Sequence, residues 1–195
     1  MPPPKAEVYM GCDLHGSGLR LRLMPFLTGM GYALFDMGEH EDFPVAAGGV
    51  CDGVLYGMRD GRRTQTGPMQ PARSRFGVLI CGSGQGMAVA ANKFPGIRAA
   101  MCNLPGYARQ AREHLDANVL TMGADYMRDY ARMIIGFERD PSRRTEEAAD
   151  ELVSDRAYEL ARETVRTFLE TGFDGLPKHS RRIGMITDLE GDLRD

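Results

Sequence analysis

The sequence predicts an α/β protein whose core is a five-stranded parallel sheet. Two observations support this prediction: five short apolar runs of strand length occur in the first two-thirds of the chain, and patterns typical of helices separate them. Buried strands of parallel sheets have nearly continuous apolar sequences, and parallel neighbours need a long crossover, which a helix usually supplies. With right-handed crossovers, we expect the strand order 2-1-3-4-5.

Each predicted strand is an apolar run that ends at a turn or at the start of a helix. The strands are predicted at residues 8–12, 32–35, 76–81, 97–102 and 118–122. Apolar residues at helical spacing, or a Pro near the first position, predict helices at 19–30, 43–56, 87–91 and 105–114. The segment 59–75 is polar, carries five arginines and is interpreted as an exposed loop.

The C-terminal third has a helical pattern from Tyr126 onward. Asp140-Pro141 is typical of a helix start, and the apolar residues between Ala149 and Leu169 share one helical face. A basic tail punctuated by Gly and Pro follows at 175–182. We predict an α/β unit over 1–138 and a helical extension over 139–195, whose tail completes the same domain.

Composition excludes several classes of protein. The 24 basic and 27 acidic residues give a net charge of -3, which provides no electrostatic basis for binding nucleic acid or an anionic membrane. A hydrophobic fraction of 43% excludes global disorder, and no apolar run is long enough for a membrane span. The N-terminus lacks the apolar stretch of a signal peptide, and the four cysteines lack zinc-type spacing. We therefore predict a reduced, cytoplasmic protein.

Polar residues follow two of the predicted strands, in the segments 11–16 and 81–86. In open parallel sheets, ligands bind beyond the carboxyl ends of the strands, where the strand order reverses. The second segment contains three glycines, Gly82, Gly84 and Gly86. Their backbone N–H groups could face an anion, although a tight turn alone explains the glycines equally well. It is not a dinucleotide fingerprint, because that motif needs a glycine where Met87 stands.

Cys81 stands where the third strand meets this glycine loop, and the following helix N-terminus would favour a thiolate there. Such a thiolate could act as a nucleophile or as a base, whereas a buried thiol would only fill the core. Cys12 also ends a strand and shares this interpretation more weakly. Cys51 and Cys102 are assigned to packing.

Other polar residues also have two interpretations. Asp13 could bind ligand hydroxyl groups or cap the next helix, and His114 could be an acid–base group or a partner of a helix C-terminus. The basic side chains of the tail are Lys178, His179, Arg181 and Arg182. They could bind a phosphate, or they could simply be solvated.

Taken together, these motifs resemble the type B ribose-5-phosphate isomerase and galactose-6-phosphate isomerase family. The matching residues are Gly11-Cys12-Asp13, Asp42-Phe43-Pro44, Cys81 to Met87, Ala90 to Phe94, Gly96 to Ala99, His114 with Asp116 to Leu120, and Lys178-His179 with Arg182. The resemblance implies a Rossmann-like α/β/α sandwich and a homodimer, or a tetramer, with the site at the subunit interface. It also implies an aldose–ketose isomerase that acts on a sugar phosphate through an enediolate, with neither metal nor cofactor.

The resemblance also implies roles for individual residues. Members use as base either a Cys at the position of Cys81 or a Glu at that of Met87, so the role falls on Cys81 here. Ser83 and the amides of Gly82 to Gly86 would stabilise the oxyanion. The other implied roles are orientation of hydroxyl groups by Asp13, ring opening by His114, and substrate or phosphate binding by Asn92, Lys178, His179 and Arg182.

The chain departs from the family pattern at three positions. Leu14 stands where a His is usual, with His15 one place later, Leu115 replaces an Asn, and Asp125 replaces a phosphate-binding Arg. We therefore predict a substrate other than ribose 5-phosphate. The alternatives are an inactive sugar-phosphate-binding protein of the same fold and a nucleotide-binding module. The last is least favoured, because Asp36 is the only acidic candidate for a ribose ligand after the second strand.

Overall fold

A parallel five-stranded sheet with helices on both faces forms the centre of the structure, so the predicted fold class is confirmed. The computed structural model describes residues 4–59, 62–64, 74–137 and 146–192. The strands are β1 Glu7–Asp13, β2 Ala33–His40, β3 Met58–Arg59, β4 Arg62–Arg63, β5 Arg75–Cys81, β6 Ala99–Met101 and β7 Val119–Gly123. The helices are α1 Ser17–Gly29, α2 Phe43–Tyr56, α3 Gln85–Ala91, α4 Pro105–Leu115, α5 Ala124–Phe137, α6 Glu146–Glu170 and α7 Pro177–Asp192.

The order of strands across the sheet is β2-β1-β5-β7-β6. The predicted order 2-1-3-4-5 is therefore wrong in its last two places, because the fifth predicted strand lies inside the sheet and the fourth forms its edge. Burial explains the exchange. All five residues of β7 are buried, whereas β6 has three residues, none of which is buried. An inner strand must be apolar on both faces, and only β7 satisfies that condition.

The helices divide between the two faces of the sheet. Buried residues of α1, α4, α5 and α6 pack on one face, and those of α2 and α3 pack on the other. Prolines lie in the first turns of α2 and α4, where a missing N–H costs nothing. The helix α6 packs against α1, α4 and α5, so the C-terminal segment shares the hydrophobic core of the sheet.

Two predicted loops have more order than the sequence suggested. The segment predicted as a basic tail contains the helix α7, which begins at Pro177. Met58–Arg59 pairs with Arg62–Arg63 as an antiparallel ribbon inside the predicted 59–75 loop. Arg75 is not an exposed loop residue, because it is buried and donates to the carbonyl oxygens of Val54 and Leu55. The predicted helix start at Asp140-Pro141 lies outside the described residues.

Among the described helices, none has the length and apolarity that crossing a membrane requires.

Cys51 and Cys102 are buried on opposite faces of the sheet, in agreement with their assignment to packing. Burial raises the pKa of both thiols to about 12. In the unfolded chain a thiol ionises near pH 8.5, so above that pH the unfolded state gains stability that the folded state lacks.

We expect the free energy of unfolding to fall by about 2 kcal/mol per buried thiol between pH 7 and pH 10. Below pH 8 these thiols contribute no pH dependence, because both states are protonated. Urea unfolding at several pH values measures the effect. The Cys51→Ala/Cys102→Ala variant should lose this part of the alkaline slope, and an unchanged slope would contradict the assignment.

Candidate active site

The carboxyl ends of β1 and β5 lie side by side, where the sheet order reverses, as the sequence predicted. A single 3₁₀ turn, Leu14–Gly16, follows β1 and rests against the end of β5. A Cβ on Gly16 would lie 2.5 Å from the carbonyl oxygen of Ile80, so only glycine allows this approach. The turn and the glycine loop after Cys81 therefore share one edge of the sheet, which we call the carboxyl edge.

Cys81 is the last residue of β5 and is 5% exposed. Its Sγ accepts a hydrogen bond from the backbone N–H of Gly84 at 3.1 Å. Gly84 has a φ of +85°, a conformation that favours glycine, and this bend turns the N–H back toward the sulfur. Met87, at the position of the alternative base, is fully buried in the same apolar cluster as Cys81.

The other predicted residues of this edge make mostly local contacts. Asp13 Oδ1 accepts from the N–H of Gly16 at 3.2 Å, which is the capping interaction that the sequence left open. The Ser83 hydroxyl is exposed and accepts from the N–H of Gln85 at 3.2 Å. Gly86 lies against the ring of Phe43, which a Cβ would approach to 3.2 Å.

Three side chains linked by hydrogen bonds lie at the same edge: His15, Asp125 and Arg128, which we call the carboxyl-edge cluster. The sequence did not predict this group. Asp125 Oδ2 pairs with His15 Nδ1 at 3.0 Å, and Asp125 Oδ1 accepts from Arg128. The Asp125 N–H also donates to the Gly82 carbonyl at 3.0 Å. Both the displaced His15 and the acidic Asp125 therefore lie beside the glycine loop, whereas Leu14 is 59% exposed.

A second group, which we call the amino-edge cluster, contains His114, Asp174 and His179. The two imidazole rings lie 4.4 Å apart, and Asp174 binds His179 Nδ1 at 2.8 Å. Burial opposes ionisation of Asp174, but hydrogen bonds from the Leu176 N–H and from His179 hold its pKa below the ordinary value. The ligand atoms lie within 4.8 Å of one another and could hold a divalent cation, although Asp174 and His179 already satisfy each other.

The two clusters lie at opposite edges of the sheet. The guanidinium of Arg112 lies 5.0 Å from the Phe76 ring, so the end of α4 that carries His114 stands beside the start of β5. Cys81 lies five positions after Phe76 along the strand, which corresponds to roughly 16 Å. Within one chain the structure therefore does not bring His114 together with Cys81.

The remaining predicted residues also lie away from the thiol. Lys178 and Arg182 are exposed on α7, near the amino-edge cluster, and His179 is 4% exposed. The side-chain amide of Asn92 donates to the Ala99 carbonyl at 3.0 Å and accepts from the Ala99 N–H at 2.8 Å. Asn92 therefore ties the end of α3 to the start of β6.

Comparisons with known proteins agree with this architecture. The sequence pattern described as Ribose/Galactose Isomerase matches residues 8–137. Ribose-5-phosphate isomerase B of Escherichia coli K12 is 35% identical over 94% of this chain and 96% of its own length. A 4-deoxy-4-sulfo-D-erythrose isomerase of a Clostridium species is 35% identical over 60% of this chain and 67% of its own length.

The solved structure of Clostridium thermocellum ribose-5-phosphate isomerase B superimposes with a TM-score of 0.66 at 29% identity, covering 96% of this chain and 99% of that one. The resemblance noted from the motifs is thus confirmed over the sheet and over the C-terminal helices. The chain belongs to the ribose/galactose isomerase family.

Proposed function

We propose that the chain interconverts an aldose phosphate and the corresponding ketose phosphate, with Cys81 as the base that moves the carbon-bound proton. The observation that carries the proposal is the position of Cys81, at the carboxyl end of a central strand, with its sulfur held by the Gly84 N–H. A negative charge on the sulfur would meet a fixed donor there. The relatives named above are isomerases of sugars with a phosphate or a sulfo group.

The reaction needs no external electron donor or acceptor. The Cys81 thiolate removes the proton from the carbon next to the carbonyl, and the electron pair forms an enediolate. Protonation of the neighbouring carbon by the thiol completes the transfer. Ser83 and loop amides would stabilise the oxyanion, and one such donor is typically worth about 3 kcal/mol. The Gly84 N–H donates to the sulfur and the Gln85 N–H donates to the Ser83 hydroxyl, so other amides of the loop must donate to the substrate oxyanion.

The site is completed, in this proposal, by a second copy of the chain. His114 lies at the opposite edge of the sheet from Cys81, and Lys178, His179 and Arg182 lie near it. A partner's amino edge placed over the carboxyl edge would bring the ring-opening and phosphate-binding groups to the thiol. Exposed apolar residues on α7 support such contact: Met185, Ile186 and Leu189.

The proposed substrate is a sugar phosphate other than ribose 5-phosphate. The Asp125 carboxylate borders the glycine loop and would repel a phosphate there, so the phosphate would bind to Lys178, His179 and Arg182. A relative named for a four-carbon sugar makes tetrose phosphates the first candidates. Pentose and hexose phosphates other than ribose 5-phosphate are the next candidates.

A panel of purified aldose and ketose phosphates tests this proposal directly. We expect interconversion of one pair at an enzymatic rate in the presence of a chelator, and a much lower kcat/KM with ribose 5-phosphate. The expected preference rests on the three departures from the family pattern, at Leu14, Leu115 and Asp125. Equal or greater activity with ribose 5-phosphate would contradict the substrate proposal. The absence of any interconversion would contradict the proposed isomerase activity.

A sugar-phosphate-binding protein without turnover is the second candidate, and the 5% exposure of Cys81 favours it. Solvent deuterium distinguishes the two candidates, because an active site introduces label at the substrate carbon and a binding protein does not. A nucleotide-binding module is less favoured, since the carboxylate of Asp36 is paired with Arg20. Thermal shifts with nucleotides and with sugar phosphates compare these ligand classes.

A further inference from the structure

We propose that His15 is a catalytic acid–base residue that carries a proton between the two reacting oxygens of the substrate, and that Asp125 is its positioning residue. This inference rests on the proposed isomerase function, which assigns only the carbon-bound proton to Cys81. It adds a second proton-transfer group from the same chain, at the same edge of the sheet as the thiol.

The imidazole of His15 packs against the residue that follows Cys81. A Cβ on Gly82 would lie 3.6 Å from His15 Cγ and 2.7 Å from Asp125 Oδ2. Gly82 directly follows Cys81, the last residue of β5, so the imidazole packs one residue along the chain from the thiol. A small substrate that lies across the strand end would therefore contact both groups.

Asp125 makes three contacts, one of them with this imidazole. Asp125 Oδ2 binds His15 Nδ1 at 3.0 Å, Oδ1 accepts from Arg128, and the Asp125 N–H is anchored to the Gly82 carbonyl at 3.0 Å. In the neutral imidazole, a carboxylate at Nδ1 favours the tautomer with the proton on that nitrogen and the lone pair on Nε2. The His15 side chain is 65% exposed, so Nε2 is accessible to a substrate.

An aldose–ketose conversion moves two protons, and a single thiol moves only one of them. After Cys81 takes the proton from C2, the electron pair forms the C1–C2 double bond and O1 carries the negative charge. His15 Nε2 removes the proton from O2 and delivers it to O1. The electrons on O2 then form the new carbonyl, and the double-bond pair takes the proton from the thiol at C1. Atoms and electrons balance within the substrate and these two side chains.

Other groups at the described carboxyl edge are less suited to this transfer. Asp13 Oδ1 is committed to the Gly16 N–H, and the Ser83 hydroxyl has no neighbouring base among its described contacts. His114 belongs to the amino edge and is proposed for ring opening. The pairing of an imidazole with a carboxylate that fixes its tautomer is the arrangement that proteins use for acid–base histidines.

The His15→Gln variant tests the inference with the substrate pair found in the panel. We expect isomerisation to fall by about 100-fold, which is the usual contribution of acid–base catalysis. Exchange of the substrate C2 hydrogen with solvent deuterium should stay within about threefold of wild type, because His15 takes no part in removing the C2 proton. Asp125→Asn should show the same split between exchange and isomerisation with a smaller loss, of about 10-fold, since it disturbs only the orientation of His15.

The matched control is His40→Gln, at the end of β2, where the His40 ring binds the Met37 carbonyl. It should leave both rates unchanged. Wild-type isomerisation by a folded His15→Gln variant would overturn the inference and would make the carboxyl-edge cluster a surface ion pair. Equal loss of exchange and isomerisation would also overturn it. Failure of the proposed function is distinguishable, because wild type would then neither exchange nor isomerise any sugar phosphate.

Discussion

Cys81→Ser is expected to lower isomerase turnover by about 1000-fold or more while the affinity for sugar phosphates stays within a few-fold of wild type. A serine hydroxyl is a far weaker base than a thiolate at neutral pH, yet it is close in size and can accept the Gly84 N–H in place of sulfur. The change therefore removes the proton acceptor and keeps the loop. Initial rates and the dissociation constant of a bound sugar phosphate measure the two properties separately.

Cys12→Ser provides the matched control. Cys12 also lies at a strand end of the carboxyl edge, but it is fully buried, and burial raises the pKa of its thiol. We expect Cys12→Ser to retain isomerase turnover within about threefold of wild type, after correction for the folded fraction. A Cys81→Ser enzyme with near wild-type turnover would show that another group is the base. Deuterium exchange should be lost together with turnover in Cys81→Ser, in contrast to His15→Gln.

The sequence was sufficient to predict the class of the sheet, because buried parallel strands leave continuous apolar runs. It was not sufficient for the order of the last two strands. That order depends on which strand is buried on both faces, and Ala99–Met101 contrasts with the fully buried Val119–Gly123. The predicted ranges conceal this difference, because 97–102 is longer than 118–122, whereas only Ala99–Met101 of the former is strand in the structure.

The helix α7 was missed for a different reason. Its first residues after Pro177 are basic, and Gly175 and Pro177 interrupt the segment before them. This composition suggested an irregular tail. A proline at the first position of a helix is compatible with helix formation, and the contacts of α7 with α4 supply packing that the local pattern does not reveal. Tertiary packing decides such marginal segments.

The sequence predicted where the thiol and the glycine loop lie, but it did not predict which side chains surround them. Cys81 and the glycine loop lie where the strand end indicated, and the turn that carries Asp13 lies next to them. The pairing of His15 with Asp125 spans 110 residues, so no local pattern indicates it. The signal available was that both positions depart from the family pattern, one by a displaced His and the other by an acid.

Two inactive variants are expected to restore activity to each other if two copies share the site. Cys81→Ser lacks the base, and His114→Gln lacks the ring-opening group, so each alone should lose about 100-fold or more. In a two-fold dimer, one site of the hybrid combines both defects, and the other combines the intact Cys81 with the intact His114. Equal mixing gives half hybrids with one working site each, so about a quarter of wild-type activity should return.

Mixing the Cys81→Ser and His114→Gln variants also distinguishes a site shared by two copies from a site within one chain. The proposal places a partner at the site because β5 alone puts roughly 16 Å between Phe76, near His114, and Cys81. A site within one chain would leave every copy in the hybrid with one defect, and no activity would return. Mixing Cys81→Ser with Cys81→Ala is the control, since neither copy supplies a base. Hybrids identified by distinct affinity tags, yet as inactive as their parents, would exclude the shared site and leave His114 without access to the reacting carbons.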